Sequence, residues 1–172
     1  MKILALDISP RSTGVAIGDA SGPPRNFRAS FTGGSVGMMG HNFRTWFREA
    51  LILEKPDFVC IEAAFVGKTD DAYTQTLMLG FNFTAQTVAA GRNITCETVA
   101  VQTWRKAFLG HGRPKDPKQI CIKQCAQLGW EVDGNHDRAE ACGIWAWAHI
   151  YRGNRLAITK LLSHLSVRKM AS

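Results

Sequence analysis

The chain has 172 residues, of which 45% are hydrophobic and 20% charged, so it is expected to form one globular domain with a substantial core. Its 21 Lys and Arg residues outnumber 14 Asp and Glu residues, and the net charge of +7 favours a polyanionic partner. No apolar run is long enough to cross a membrane, and the first one is broken by Asp7 without a signal-peptide cleavage site. We therefore expect a cytoplasmic protein with no membrane partner.

The positive charge is concentrated in three segments. Residues 21–48 contain arginines and no acid, residues 102–125 contain six basic residues against Asp116 alone, and residues 152–172 contain basic residues and no acid. Such clusters are typical of proteins that bind nucleic acid. Solvated surface charge explains them as well, so charge alone leaves both interpretations open.

The first half of the chain predicts three strands, a helix and a fourth strand. Apolar runs at 3–8 and 13–17 flank a turn and indicate a hairpin, and residues 26–31 form a possible third strand. Apolar residues then recur at helical spacing from Met38 to Leu51, and residues 58–62 read as a short buried strand.

The second half of the chain predicts mainly helices. We expect a helix at 71–90, a strand at 94–99, helices near 101–109 and 115–128, and a final helix at 136–151. This order indicates an α/β fold in which an antiparallel meander is continued by parallel strands, with helices on the faces. The domain is expected to span 1–152, and 153–172 to be a basic C-terminal tail or helix.

Four acids fall where a strand ends or a helix begins: Asp7, Glu62, Asp137 and Glu140. Each also has a simple structural explanation. The first strand could emerge into solvent at Asp7, and Glu62 could be an ordinary strand-end acid. Asp137 and Glu140 share one helix face, and they could form a capping box with Asp137 as the N-cap.

Taken together, these residues, called the four acids below, suit a divalent metal site. Mg²⁺ and Mn²⁺ prefer carboxylate and water oxygens. Two such ions about 4 Å apart can activate a water and stabilise the leaving oxygen during phosphodiester cleavage. Because clustered carboxylates repel one another, a metal would also relieve the site. The pattern therefore favours metal-dependent phosphodiester hydrolysis.

Three segments resemble the motifs of RuvC-type Holliday-junction resolvases. Residues 7–14 (DISPRSTG) resemble the first motif, an Asp, a short turn and Thr-Gly. Residues 59–65 (VCIEAAF) resemble the second, a strand ending in Glu with an aromatic residue three positions later. Residues 137–144 (DRAEACGI) resemble the third, two acids followed by an apolar helix, and residues 103–120 resemble the segment that carries basic residues to DNA. The resemblance spans about residues 1–150 and suggests a divergent phage or bacterial member.

The resemblance implies an RNase H-like fold, with a five-stranded mixed sheet flanked by helices. It implies a homodimeric crossover junction endodeoxyribonuclease that resolves four-way junctions by paired symmetrical nicks, in a bacterial cytoplasm or a phage-infected cell. The four acids would be catalytic and would hold two Mg²⁺ ions per site, for which Mn²⁺ can substitute. Lys118 would be the catalytic lysine near the scissile phosphate, and Phe65 the aromatic that enters the junction. The remaining residues expected to contact DNA are Arg11, Lys68, Arg105, Lys106, Arg113 and Lys115.

Several features of the sequence allow more than one interpretation. Glu140 stands where the family usually has Asp, and His136 either assists the reaction or simply begins the helix. The alternative functions are an RNase H-like nuclease of broader specificity, acting on flaps, other branched DNA or RNA–DNA hybrids, and a non-catalytic module that binds branched DNA. The pattern from Asp7 to Gly14 is also similar to the phosphate-binding hairpin of sugar kinases and actin-like ATPases, but those need two related domains.

Overall fold

A five-stranded mixed sheet forms the centre of the protein in the computed structural model, which describes residues 1–64 and 71–153. The strands are β1 (Ile3–Asp7), β2 (Thr13–Gly18), β3 (Arg25–Ala29), β4 (Phe58–Glu62) and β5 (Thr95–Val99). They are arranged in the order β3-β2-β1-β4-β5. β1, β2 and β3 pair as an antiparallel meander, whereas β4 runs parallel to both β1 and β5.

Helices cover both faces of this sheet. They are α1 (Val36–Glu54), α2 (Ala72–Ala90), α3 (Val101–Leu109), α4 (Pro117–Gln127) and α5 (His136–Tyr151). Side chains alternate along β1, so Ile3 and Ala5 face the core shared with α3, α4 and α5, whereas Leu4 and Leu6 face the core shared with α1 and α2. By the same alternation Asp7 and Glu62 belong to the face that α5 covers.

Small residues let α5 lie close to the sheet. Ala139, Ala141 and Ala148 are fully buried, and the helix contacts both β1 and β2. Gly14 of β2 lies so close to the start of α5 that a Cβ atom there would overlap the carbonyl of Asp137. The Thr-Gly pair in the first motif is therefore explained by the close approach of this strand to the helix that carries two of the four acids.

The predicted sheet and helices are confirmed, with shifts at a few ends. The third strand covers Arg25–Ala29 rather than 26–31, because Phe31 leaves the sheet and packs against Phe43 of α1. The helix predicted at 115–128 begins at Pro117, where the Asp116 side chain accepts a hydrogen bond from the Gln119 amide. The predicted tail lies outside the described residues, apart from residue 153. Within 1–64 and 71–153 no helix is long and apolar enough to span a membrane.

Candidate active site

Two strands and one helix supply the four acids at one edge of the sheet. β1 and β4 are parallel neighbours, so Asp7 and Glu62, their last residues, lie at the same edge. α5 begins over this edge, with Asp137 in its first turn and Glu140 three residues later. The carboxylates of Glu62, Glu140 and Asp137 all act electrostatically on Asp7. The fold thus brings together residues that are up to 133 positions apart in the sequence.

The crowding of negative charge perturbs the two strand-end acids. Burial and repulsion from Glu62, Glu140 and Asp137 raise the pKa of Asp7 well above its usual value, and the positive charge of Arg105 opposes them. Burial also raises the pKa of Glu62, although a hydrogen bond from a tryptophan acts in the opposite direction. Placing ionised carboxylates here is unfavourable unless a cation compensates them.

Glu62 is held by Trp104 of α3. The indole Nε1 donates a hydrogen bond of 2.6 Å to Oε2 of Glu62. The indole is fully buried, and it fits because residue 143 of α5 is glycine: a Cβ there would lie 2.6 Å from ring atom Cζ3 of Trp104. The glycine in the apolar helix therefore determines, through Trp104, where the Glu62 carboxylate lies.

Glu140 is held by the next residue of α3. The guanidinium Nη2 of Arg105 lies 2.5 Å from Oε1 of Glu140, and the two side chains are only 19% and 8% exposed. The guanidinium also lies over the Trp104 ring, 5.3 Å from its centroid. Two adjacent residues of α3 thus contact acids that come from two different elements, β4 and α5.

Asp137 does not cap its helix. The N-cap of α5 is Asn135, whose side-chain oxygen accepts a hydrogen bond from the Arg138 amide at 3.0 Å. The alternative explanation of Asp137 and Glu140 as a capping box is therefore wrong. Asp137 instead accepts a hydrogen bond from the hydroxyl of Ser12. His136 Nδ1 lies 2.8 Å from the other carboxylate oxygen, but without hydrogen-bond geometry.

The turn between β1 and β2 positions Ser12. The Thr13 hydroxyl donates to the Ser9 carbonyl at 2.7 Å, and the Ser9 amide donates back to the same hydroxyl at 3.3 Å. These two bonds close the turn locally and direct Ser12 toward the start of α5. Through these hydrogen bonds and the one from Ser12 to Asp137, the turn connects the first motif to the third.

The donor set of this site fits a hard divalent cation. Four carboxylates supply oxygen ligands, and the crowding around Asp7 is relieved by positive charge. Three of the four, however, are already engaged by Trp104, Arg105 or Ser12. Within the described part of the chain, no three His, Cys, Asp or Glu side chains are gathered closely enough to form a finished metal site. The ligand types fit a divalent cation, but Glu62, Asp137 and Glu140 would have to move relative to their present partners to bind it.

Most of the basic residues predicted to contact DNA are exposed. Lys106 lies on α3, Lys115 and Arg113 on the loop before α4, and Lys118 in the first turn of α4. Arg11 is exposed on the β1–β2 turn. Arg105 differs from them, because its guanidinium contacts Glu140. Phe65 and Lys68 lie outside the described residues, so their predicted roles remain predictions, as does the catalytic role of Lys118.

The sequence does not single out Trp104 or Gly143 as site residues. A signal was present in each case, because a glycine within an apolar helix indicates close packing, and a buried tryptophan needs an acceptor for its N–H. Which acceptor Trp104 finds depends on a contact between residues 42 positions apart, and only the fold shows it.

No family model and no curated protein matches the sequence. Among solved structures, RuvC from Thermus thermophilus aligns with a TM-score of 0.64 and 17% identity, covering 91% of this chain and 98% of that one. The same organism's RuvC in complex with Holliday junction substrate aligns with a TM-score of 0.68 and 12% identity, covering 90% and 95%. The yeast mitochondrial Holliday junction resolvase Ydc2 aligns with a TM-score of 0.52 and 12% identity, covering 90% of this chain and 82% of that one. The chain therefore has the RuvC fold, and the predicted RNase H-like architecture is confirmed.

Proposed function

We propose that this protein is a metal-dependent endonuclease that resolves four-way DNA junctions by paired symmetrical nicks. One observation carries the proposal: β1, β4 and α5 bring four carboxylates to one edge of a sheet with the RuvC fold, where three of them act electrostatically on Asp7. The solved structures that share this fold include a RuvC bound to a Holliday junction and a mitochondrial resolvase. The basic segments of this chain supply the charge that a DNA partner requires.

The four acids would hold Mg²⁺, or Mn²⁺ in its place, with two ions per site. When bound, such ions activate water and stabilise negative charge on the phosphate. The chain's own residues keep the acids in place, because Trp104 orients Glu62 and Ser12 orients Asp137. Lys118 would neutralise charge that develops on the phosphate during cleavage.

DNA binding would depend on basic residues from the β1–β2 turn, from α3 and from the loop before α4. Arg11, Lys106, Arg113 and Lys115 would contact phosphates, together with Lys68, so that affinity should fall steeply as salt rises. Phe65 follows Glu62 by three positions and would stack on an unpaired base at the branch point, a contact worth about 1–3 kcal/mol per base. Replacement of Phe65 by alanine should therefore impair junction cleavage more than duplex cleavage.

The homodimer that the family resemblance implies would form through α2. This helix of 19 residues contains no charged side chain, and its outer face presents Leu79 and Phe83, which are 53% and 69% exposed. Large apolar residues on an uncharged face are typical of a subunit interface.

Phe83→Glu should give a monomer in sedimentation experiments. Leu53→Glu is the matched control, because Leu53 is 79% exposed on α1 and should leave the dimer intact. A dimeric Phe83→Glu protein would contradict this assignment.

The cysteines are consistent with the cytoplasmic location that we propose. All five lie in the described part of the chain as free thiols, and four of them are fully buried: Cys60, Cys121, Cys125 and Cys142. Reduced, buried thiols are typical of a reducing compartment.

A substrate panel tests the proposed function. Mobile and immobile four-way junctions, a flap, a linear duplex and an RNA–DNA hybrid would each be incubated with Mg²⁺, Mn²⁺ or a chelator. We expect metal-dependent nicks at symmetrical positions on opposite strands of the junction and little cleavage of the duplex. Scattered or asymmetric cuts in several branched substrates would replace the proposal with a nuclease of broader specificity. Tight junction binding without nicking in either metal would identify a non-catalytic binding module.

A further inference from the structure

We propose that Arg105 is a built-in counter-cation of the four acids, which stabilises the metal-free site and leaves Glu140 when a divalent ion binds. This inference rests on the proposed function, because it assumes that the four acids are metal ligands. It assigns Arg105 a positioning and regulatory role that the sequence does not indicate, since the residue lies in a basic segment and resembles an ordinary DNA contact.

The position of Arg105 supports a role inside the site. Its guanidinium pairs with Glu140 where both side chains are largely buried. The same positive charge opposes the rise in the pKa of Asp7 and of Glu62 that burial causes, so one side chain acts on three of the four acids. A guanidinium remains charged at all relevant pH values, which makes it a permanent substitute for a metal ion in charge, although not in coordination.

The contacts of Arg105 are incomplete. Its Nε is buried, yet among the described residues it has no hydrogen-bond partner. A buried donor that is left unsatisfied is costly, so a fully optimised structural ion pair would not leave it so. The guanidinium also lies over the ring of Trp104. The guanidinium therefore keeps one buried donor without an acceptor among the described residues, and movement of the side chain to a phosphate would satisfy it.

Displacement of Arg105 would couple metal binding to DNA binding. A divalent ion and the guanidinium compete for the same Glu140 carboxylate, so the ion has to replace the pairing that Arg105 provides. Arg105 belongs to the same short helix as the exposed Lys106, on a basic segment of the chain. Once released, the guanidinium would be able to reach a phosphate, and phosphate binding would in turn favour binding of the metal. Such coupling is reciprocal by thermodynamic necessity.

The test measures metal affinity and thermal stability in the absence of DNA. The full chain would carry Arg105→Gln, which removes the charge, or Arg105→Lys, which keeps the charge without the planar guanidinium. Lys123→Gln is the matched control, because Lys123 is exposed on α4 and its replacement removes the same charge. Mn²⁺ binding would be followed by calorimetry, and unfolding by a thermal melt in chelator and in Mn²⁺.

We expect Arg105→Gln to bind Mn²⁺ about 10-fold more tightly than the wild type, within the usual range of coupling between two ligands. It should melt at a lower temperature in chelator and gain more from Mn²⁺, with Arg105→Lys intermediate and Lys123→Gln unchanged. Equal or weaker Mn²⁺ affinity in both Arg105 variants, beside normal binding in the wild type, would overturn this inference and leave the metal site standing. Absence of Mn²⁺ binding in the wild type would instead overturn the proposed function, and this inference with it.

Discussion

The two faces of the sheet are packed in different ways. On the face of α1 and α2 the core combines aliphatic side chains with phenylalanine rings in direct contact; Phe43, for example, stacks on Phe81 with 4.5 Å between ring centroids. On the face of α5 the core combines alanines, glycines and tryptophans, and the four acids lie at its edge. The first face therefore contributes mainly apolar burial to the stability of the fold. On the second face, α5 approaches β2 and Trp104 closely, and these contacts position polar groups.

This difference predicts different consequences for mutations on the two faces. A change in the aromatic core should lower stability without altering the geometry of the acids. On the α5 face one added methyl group should displace the acids. A Cβ atom at Gly14 would overlap the Asp137 carbonyl, and one at Gly143 would overlap the Trp104 ring.

The largest effect on stability is expected for Phe43→Ala. Phe43 is fully buried and contacts four other aromatic rings, so its truncation should cost about 3–5 kcal/mol of unfolding free energy. Denaturant unfolding measures this loss. Cleavage per folded molecule, assayed well below the melting temperature, should stay near the wild-type rate. A folded Phe43→Ala protein without activity would break the contrast between the faces.

Gly143→Ala should impair both stability and cleavage. The added methyl group would lie 2.6 Å from Trp104, and overpacking of this kind costs about 1–3 kcal/mol. It also displaces the indole that holds Glu62. Gly40→Ala is the matched control, because a Cβ at this position in α1 meets no atom within 4 Å. If both variants cleave junctions as the wild type does, Gly143 does not position Trp104.

Trp104→Phe isolates the hydrogen bond to Glu62. The substitution keeps an aromatic ring but removes the N–H that donates to the carboxylate, and we expect a roughly 10-fold loss in cleavage rate, equivalent to about 1.4 kcal/mol. Trp130→Phe is the control: this indole is also buried, but its N–H has no partner among the described residues. Similar rates for the two variants would show that the bond from Trp104 is not needed.

The smallest effect concerns stability in the absence of metal. Because its pKa is raised, Asp7 binds its proton more tightly in the folded than in the unfolded protein. The metal-free protein should therefore lose stability as pH rises from the usual aspartate range through the raised pKa. Asp7→Asn should reduce this dependence, leaving the part that Glu62 contributes, and increase stability at neutral pH by about 1 kcal/mol. Thermal melts in chelator across pH check this, and a less stable Asp7→Asn protein would contradict it.

The sequence predicts the sheet because its patterns are local. Alternation along β1 shows that Asp7 shares a face with Ala5, and helical spacing reveals α1 and α5. The four acids follow from motif order and from their places at element ends. The partners of those acids are not local: Ser12 and Asp137 lie 125 positions apart. The role of Arg105 is hidden for the same reason, because its basic neighbours in the sequence point outward.

The helix start of α5 shows where a local pattern misleads. Asp137 and Glu140 have the spacing of a capping box, yet Asn135, two residues earlier, caps the helix. Because Asn135 caps the helix, the Asp137 carboxylate is available to Ser12 and lies near the other acids. One hydrogen bond excludes the capping box, and the metal-binding role of the same two residues remains a prediction.

The role of Asp7 in metal-dependent cleavage is tested by incubating a four-way junction in Mg²⁺ with the wild type, Asp7→Asn and Glu131→Gln. Glu131 is exposed, so its variant controls for the loss of one negative charge. We expect the wild type and Glu131→Gln to nick the junction. Asp7→Asn should still bind it but lose cleavage by on the order of 10³-fold or more, as when an essential catalytic group is removed. Cleavage by Asp7→Asn at the wild-type rate would contradict the assignment of the four acids as the metal-dependent centre.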